Sequence, residues 1–292
     1  MVRGVGILLG LLACWMSTFA TCSAQVMVQP NFKTLPLGSD TLCFTYRFVP
    51  NDTIDYFVEA ADSIIFPGDP LVLRIRSEQI RFVCDSVTAN GVYHLRTWMT
   101  SYHERSTAGS DSSERTAHPW VGREVHLGID SLGHRYYGYS NVLNGVIAPG
   151  GAFQPLLLPP LDTSCGRQNQ SWFYEDTLAL VENGVPYPVM HVGYLWRVMD
   201  KADTLGTTFR QIQYTLSGVG SLEMNSKQTS FTLLCQSAGF GKLTFDPGLE
   251  LPYAVFATAE NKISLQYSNG IKKNGVHKSL MQAMIKVVHR QH

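Results

Sequence analysis

The sequence predicts a mainly β protein: a curved antiparallel sheet, a half-barrel or a sandwich, with few short helices. Asn-Gly is the strongest short hairpin signal because both residues tolerate positive φ angles. Five such pairs divide the chain, beginning at Asn90, Asn144, Asn183, Asn269 and Asn274. Between them lie short runs rich in β-branched and aromatic residues, many with the alternation of apolar and polar side chains that is typical of strands.

The first 24 residues are interpreted as a secretory signal peptide. Arg3 is followed by an apolar run over residues 5–15, which is too short to span a bilayer, and small residues stand at Cys22 and Ala24. This pattern predicts a mature chain beginning at Gln25 that is exported to the periplasm, the cell surface or the medium. The mature chain contains no predicted transmembrane span.

A second interpretation of the same segment is a lipoprotein signal. Leu11, Leu12 and Ala13 precede Cys14, and this small-residue-then-Cys form would place a lipid on Cys14 and anchor the protein to a membrane leaflet.

Strands are expected throughout the mature chain. In the first half they are predicted at residues 41–49, 54–60, 71–76, 80–87, 92–101, 124–129 and 134–139. In the second half they are predicted at residues 171–180, 189–200, 209–217, 231–234, 242–245, 253–258 and 262–267.

Three segments interrupt this pattern. Residues 106–117 are polar and predict a mobile loop, residues 140–147 predict a short helix, and residues 148–166 are rich in Pro, Gly and Leu. The last of these predicts an ordered crossing between two halves, 25–147 and 167–292. The two halves form either one β domain, residues 25–292, or two smaller ones.

The charge balance argues against binding to nucleic acids. The chain has 23 Lys and Arg and 23 Asp and Glu residues, whereas nucleic-acid affinity depends mainly on neutralising phosphates. Residues 262–292 contain six basic residues and no acidic one. This segment is either a solvated sheet face or a surface for an anionic partner.

Four cysteines remain in the mature chain beyond Cys14 and Cys22. In an oxidising compartment, Cys43, Cys84, Cys165 and Cys235 can form two disulfides. Pairing within each half of the chain favours Cys43 with Cys84 and Cys165 with Cys235. Four buried free thiols are the alternative.

No motif in the sequence indicates a catalytic site, a cofactor or a metal. His118, His126 and His134 recur every eight residues, but a turn at residues 130–133 would place His126 and His134 on opposite faces of a hairpin. The Gly-x-Ser-x-Gly elbow, the phosphate loop and the His-Glu-x-x-His motif are all absent from the sequence. We therefore expect a protein that is not an enzyme.

Several short segments resemble a group of uncharacterised exported bacterial proteins whose sheets are similar to the lipoprotein-carrier superfamily. The segments are Tyr46-Arg47-Phe48, Ile80 to Val83, Asp85 to Val87 with Gly91, Ile129 to Gly133, Phe153-x-Pro155, Gln170 to Trp172, and Gly239 to Gly248. The resemblance implies a curved antiparallel sheet with an open apolar concave side, and it supplies no catalytic residue.

The leading functional hypothesis is a non-catalytic envelope protein that binds an apolar or amphipathic ligand, or another envelope protein, through a sheet face. Candidate binding residues are Phe153, Leu156, Leu157 and Leu158 at the crossing, with Lys272, Lys273 and Lys278 for an anionic group. Two alternatives remain: a secreted hydrolase with an unrecognised site, and a structural surface component assembled by pairing of edge strands.

Overall fold

The computed structural model describes residues 36–118, 120–139, 155–178, 181–182, 185–186, 189–204, 207–225 and 230–290. The segment Leu37–His292 forms one compact unit. The described part of the chain contains strands and turns and no helix. The prediction of a mainly antiparallel β protein is confirmed.

The strands are β1 (Thr41–Cys43), β2 (Thr53–Ile65), β3 (Val72–Val87), β4 (Tyr93–Ala108), β5 (Asp111–Arg115), β6 (Val125–Ile129), β7 (Arg135–Tyr139), β8 (Cys165–Arg167), β9 (Ser171–Leu178), β10 (Val181–Glu182), β11 (Val185–Pro186), β12 (Val189–Thr204), β13 (Thr207–Asn225), β14 (Ser230–Asp246), β15 (Leu251–Tyr267) and β16 (Lys272–His289).

Twelve of these strands form one antiparallel sheet. Its order is β7-β6-β4-β3-β2-β16-β15-β14-β13-β12-β9, and β5 extends it by pairing with β4. Strand β16 closes the gap between the two halves of the chain, because it pairs with β15 on one side and with β2 on the other. Two short antiparallel pairs, β1 with β8 and β10 with β11, complete the set.

The sheet is strongly curved. The rings of His134, next to β7, and Tyr174, on β9, have centroids 5.2 Å apart, although β7 and β9 stand at opposite ends of the strand order. Curvature of this kind creates a concave inner face. The inner face carries the large buried side chains of the long strands, such as Tyr56, Ile80 and Trp196.

Two segments of the chain itself cover much of this inner face. In the first, Leu42, Phe44, Tyr46 and Phe48 are all buried and alternate with more exposed residues. Phe44 packs edge-on against Phe245 with ring centroids 5.4 Å apart. The alternation explains why residues 41–49 are predicted as a strand, although only Thr41–Cys43 pairs with a neighbour.

The second covering segment is the Pro- and Leu-rich crossing. Leu156, Leu157, Leu158 and Leu161 are buried, and the phenol of Tyr46 donates a hydrogen bond to the carbonyl oxygen of Pro159 at 2.7 Å. The two segments therefore fill the concave side together. The open apolar side that the resemblance implies is occupied here by the chain's own residues.

The disulfide pairing expected from the sequence is wrong. Cys43 is bonded to Cys165 and not to Cys84, so the bridge joins the two covering segments across 122 residues. Cys84 and Cys235 are buried free thiols. Pairing within each half fails because β1 and β8 lie side by side, with Cys43 directly opposite Cys165.

Other local predictions need correction. Residues 106–117 form the end of β4 and the hairpin partner β5, not an unpaired loop. Residues 71–76 and 80–87 belong to the single strand β3, and β16 was not predicted. The predicted helix at residues 140–147 and the lipidation candidate Cys14 lie outside the described residues, as do Phe153 and the signal segment.

Candidate functional site

An apolar cleft lies on the inner face beneath the crossing. Strands β3, β4 and β6 provide Ile80, Phe82, Met99, Leu127 and Ile129, and the crossing covers them with three consecutive leucines. The complete lining is Ile80, Phe82, Thr97, Trp98, Met99, Trp120, Arg123, Val125, Leu127, Ile129, Arg135, Leu156, Leu157 and Leu158. The alternation of the strands explains why Ile80 lines the cleft together with Phe82, and Leu127 together with Ile129, since every second side chain of a strand points to the same face.

The cleft is narrow inside and open at its mouth. Its cavity volume is only about 40 Å³, and the space around this cavity is partly continuous with solvent. A hydrocarbon chain therefore fits only if the leucines of the crossing move aside. This makes residues 156–158 the covering element of the cleft.

Two guanidinium groups interrupt the apolar lining. Arg123 is exposed, whereas Arg135 is only partly exposed. Burial lowers the pKa of the Arg135 guanidinium, opposed by the phenol of Tyr194 and the carboxylate of Asp176. An arginine remains cationic at neutral pH even so.

The indole of Trp120 adds a third donor to the lining. Its Nε1 atom is buried and has no hydrogen-bond partner within the described chain. A buried N–H group without a hydrogen-bond partner costs free energy.

A second cluster on the inner face is polar and charged. It comprises Asp62, Arg74, Arg76, Glu78, Tyr102, Glu104, Arg115, Asn261, His277 and Ser279, most of them buried. The strand register explains the grouping, because Ser279, Asp62 and Arg74 stand opposite one another on β16, β2 and β3. We call this set the polar cluster.

Ion pairs hold the polar cluster together. Nε of Arg76 donates to Asp62 at 3.1 Å, and its Nη1 donates to Glu78 at 2.8 Å. Nε of Arg115 donates to Glu104 at 3.0 Å, and the phenol of Tyr102 donates to the same carboxylate at 2.7 Å. Because three carboxylates face three guanidinium groups, the charges compensate one another.

The ionisation of Asp62 reflects these contacts. Burial opposes the charged form, but the hydrogen bond from His277 and the charges of Arg76 and Arg74 outweigh it and lower the pKa of Asp62 to about 2. Burial raises the pKa of Tyr102 as well, assisted by its hydrogen bond to Glu104. The cluster is therefore an ion-pair network in which Asp62 stays charged at neutral pH.

The polar cluster contains a histidine that is paired with a carboxylate. Nε2 of His277 lies 3.1 Å from Oδ1 of Asp62, which supplies a base and its orienting acid. The described residues contain no group of three or more His, Cys, Asp or Glu that could hold a metal ion.

The binding residues predicted from the sequence fall in two separate places. Leu156, Leu157 and Leu158 line the cleft. Lys272 and Lys273 lie at the exposed start of β16, where Lys273 pairs with Asp69 at 3.3 Å. Lys278 pairs with Glu260 at 3.2 Å. The structure does not bring these lysines to the cleft, and the cations that line it, Arg123 and Arg135, were not predicted.

A signal for the polar cluster was present in the sequence. Arg74, Arg76 and Glu78 continue the alternation that leads to Ile80 and Phe82, so they share the inner face with two core residues. Charged side chains in phase with a buried face indicate buried ion pairs. Arg135 carries no such signal, because a single arginine after a turn is an ordinary surface residue.

The fold and the site together define a class: a curved antiparallel sheet whose inner face carries an apolar cleft beside a compensated ion-pair network. No family model matches the chain, and no curated protein matches it. No helix of the length and apolarity needed to cross a membrane occurs among the described residues.

Nine chains of solved structures match this one. One belongs to a structure of lipid-protein interactions in lipovitellin, with a TM-score of 0.44 and 12% identity over 83% of this chain. This chain spans about a quarter (26%) of the length of that protein. Another is DynF from the dynemicin biosynthesis pathway of Micromonospora chersina, with a TM-score of 0.23 and 7% identity over 91% of this chain and 93% of its own. Both TM-scores are too low to establish a shared fold.

Proposed function

We propose that this chain is an exported, non-catalytic protein of the cell envelope that binds an apolar or amphipathic ligand in the inner cleft. The observation that supports this most directly is the lining of the cleft, in which side chains such as Phe82, Met99 and Leu127 converge beneath Leu156–Leu158. Small-molecule sites are typically concave and mostly apolar, with few polar groups. The cleft has this composition.

Ligand entry in this proposal requires movement of the crossing. The three leucines occupy the position that a hydrocarbon chain would take, and each contributes roughly 1.5–3 kcal/mol of burial that a ligand must replace. A ligand of similar apolarity replaces that burial at little net cost.

Export is supported by the disulfide. Bridges such as Cys43–Cys165 form and persist in oxidising compartments, which include the periplasm and the extracellular space. The mass of the chain recovered from its native host tests this part: a mature chain beginning at Gln25 supports export, and a chain that retains residues 1–24 contradicts it.

Binding is tested with a neutral apolar dye, N-phenyl-1-naphthylamine, whose fluorescence rises in apolar surroundings. Leu157→Ala enlarges the cleft and should increase dye uptake several-fold. Leu243→Ala is the matched control, because Leu243 is equally buried but does not line the cleft. Equal uptake by the two variants would show that the dye reports general loosening of the core.

A further inference from the structure

Arg135 is a cation in largely apolar surroundings, and none of the described residues forms an ion pair with it. It lines the cleft together with Leu127, Ile129 and the leucines of the crossing. Within the described chain its side chain makes no ion pair and no hydrogen bond. Every arginine of the polar cluster, in contrast, faces a carboxylate within 4 Å.

The two groups that act electrostatically on Arg135 do not form an ion pair with it. The carboxylate of Asp176 and the phenol of Tyr194 act on it electrostatically, yet neither forms a direct contact with it. Removing a guanidinium from water without a counter-charge is costly. An anion bound in the cleft would recover this cost, because a guanidinium binds carboxylates and phosphates through two parallel hydrogen bonds.

Two further side chains with hydrogen-bond donors line the same cleft. The buried Nε1 of Trp120 has no acceptor within the described chain, and Arg123 adds a second cation at an exposed position. Donors thus exceed acceptors in a lining that is otherwise apolar. A ligand that matches the excess of donors and the apolar lining carries an anionic group on a hydrocarbon chain.

We propose that the cleft selects an anionic amphiphile, whose acidic head group pairs with Arg135 while its hydrocarbon part replaces Leu156–Leu158 on the inner face. This proposal rests on the proposed function, since it names the ligand class for the same cleft. Carboxylate and phosphate head groups share the required chemistry.

The test compares a fluorescent fatty acid with its uncharged counterpart. cis-Parinaric acid and its methyl ester have the same hydrocarbon chain and differ in the charge of the head group. We expect the acid to bind at least about tenfold more tightly than the ester, because the charge-assisted pair is lost in the ester. Equal affinity for acid and ester would overturn the proposal and leave the proposed function intact. If neither the acid nor the ester binds, the anionic ligand class and the proposed function are both overturned.

Variants locate the head group. Arg135→Gln should weaken binding of the acid about tenfold and leave binding of the ester unchanged, and Arg135→Lys should restore part of the affinity. Arg105→Gln is the matched control, because Arg105 is exposed on β4 and pairs with Glu114. If Arg123→Gln weakens binding and Arg135→Gln does not, the assignment to Arg135 is wrong.

Two competition experiments distinguish a free anion from an anionic amphiphile. Inorganic phosphate and acetate, each added alone, test whether a free anion competes with parinaric acid. We expect neither to displace it at millimolar concentration, whereas dodecyl phosphate should displace it. If inorganic phosphate displaces parinaric acid at the same concentration as dodecyl phosphate, the site binds free anions. That result would overturn the proposal that the ligand is an amphiphile.

Discussion

His277 and Asp62 lie 215 residues apart in the sequence, yet their side chains meet at 3.1 Å between Nε2 and Oδ1 on the inner face of the sheet. The contact joins β16 to β2, the two strands at which the halves of the chain meet. Because an ionised carboxylate only accepts hydrogen bonds, Nε2 carries the proton in this contact. The pairing of β16 with β2 is therefore coupled to the ionisation of Asp62.

The stability of the fold should fall at acid pH because of Asp62. Its folded-state pKa of about 2 is below the ordinary value of 3.8, so the ionised form stabilises the fold above pH 3.8, and this stabilisation is lost as the pH falls toward 2. The loss amounts to about 2 kcal/mol. Urea unfolding between pH 5 and pH 2 measures it.

Two variants isolate this contribution. Asp62→Asn removes the titrating group, so the difference in unfolding free energy between the wild type and this variant should shrink as the pH falls. Asp111→Asn, at an exposed position on β5, should keep the wild-type dependence. A pH dependence of Asp62→Asn identical to that of the wild type would contradict the argument.

Removal of the disulfide should destabilise the whole fold. Cys43 and Cys165 close a loop with a sequence separation of 122 residues. Loop-closure entropy of the unfolded chain then predicts a loss of about 3–5 kcal/mol for the double variant Cys43→Ser, Cys165→Ser. Chemical denaturation measures it, with the reduced wild type as a second sample that should match the double variant.

Peptide mapping without reduction provides an independent check of the pairing. A peptide that links Cys43 to Cys165 is expected, with Cys84 and Cys235 recovered as alkylated thiols. A peptide that links Cys43 to Cys84 would contradict the structure.

The hydroxyl group of Tyr46 should hold the two covering segments together. It donates to the carbonyl oxygen of Pro159 at 2.7 Å, and both residues are buried. Tyr46→Phe leaves that acceptor unpaired and should cost about 1–3 kcal/mol of unfolding free energy. Tyr56→Phe removes a comparable bond to the carbonyl oxygen of Pro252, at 2.8 Å.

Comparing these two variants separates a local effect from a global one. We expect hydrogen exchange at residues 156–161 to accelerate in Tyr46→Phe and to change much less in Tyr56→Phe. Equal acceleration in both would mean that Tyr46 does not secure the crossing in particular.

Arg135→Met should stabilise the protein. The substitution removes a cation without an ion-pair partner in the described chain and keeps an unbranched side chain of similar reach. We expect the unfolding free energy to rise by about 1 kcal/mol, since a half-buried charge without a counter-charge is costly. Thermal unfolding without added ligand measures the change. A melting temperature of the variant below that of the wild type would contradict the argument that the charge of Arg135 is uncompensated.

The hairpin turns show how far local sequence determines this fold. Asn90-Gly91 and Asn269-Gly270 form the turns that the dipeptide predicts. Asn274-Gly275 instead lies inside β16, where a Cβ atom on Gly275 would collide with the ring of Phe66. That glycine serves close packing and not a turn, and packing between distant segments has no signature in a dipeptide.

Strand β16 and the cleft were harder to predict. The inner-facing residues of β16 include Gly275, His277 and Ser279, so the strand lacks the apolar alternation by which half-buried strands are recognised. The leucines of the crossing were identified as candidates from their apolarity alone. Arg135, which lines the same cleft, was not predicted. Whether an arginine meets a carboxylate depends on the curvature of the sheet, which the local sequence does not reveal.

The position of β16 determines when the sheet can be completed. Its pairing with β2 places Ile64 opposite His277. One of the central ladders of the sheet therefore forms only after β16 is available. Contacts of such large sequence separation make folding slow. Until then, β2 and β15 each present an open edge that can pair with another chain. A chain that lacks β16 would therefore expose both edges at once and should aggregate.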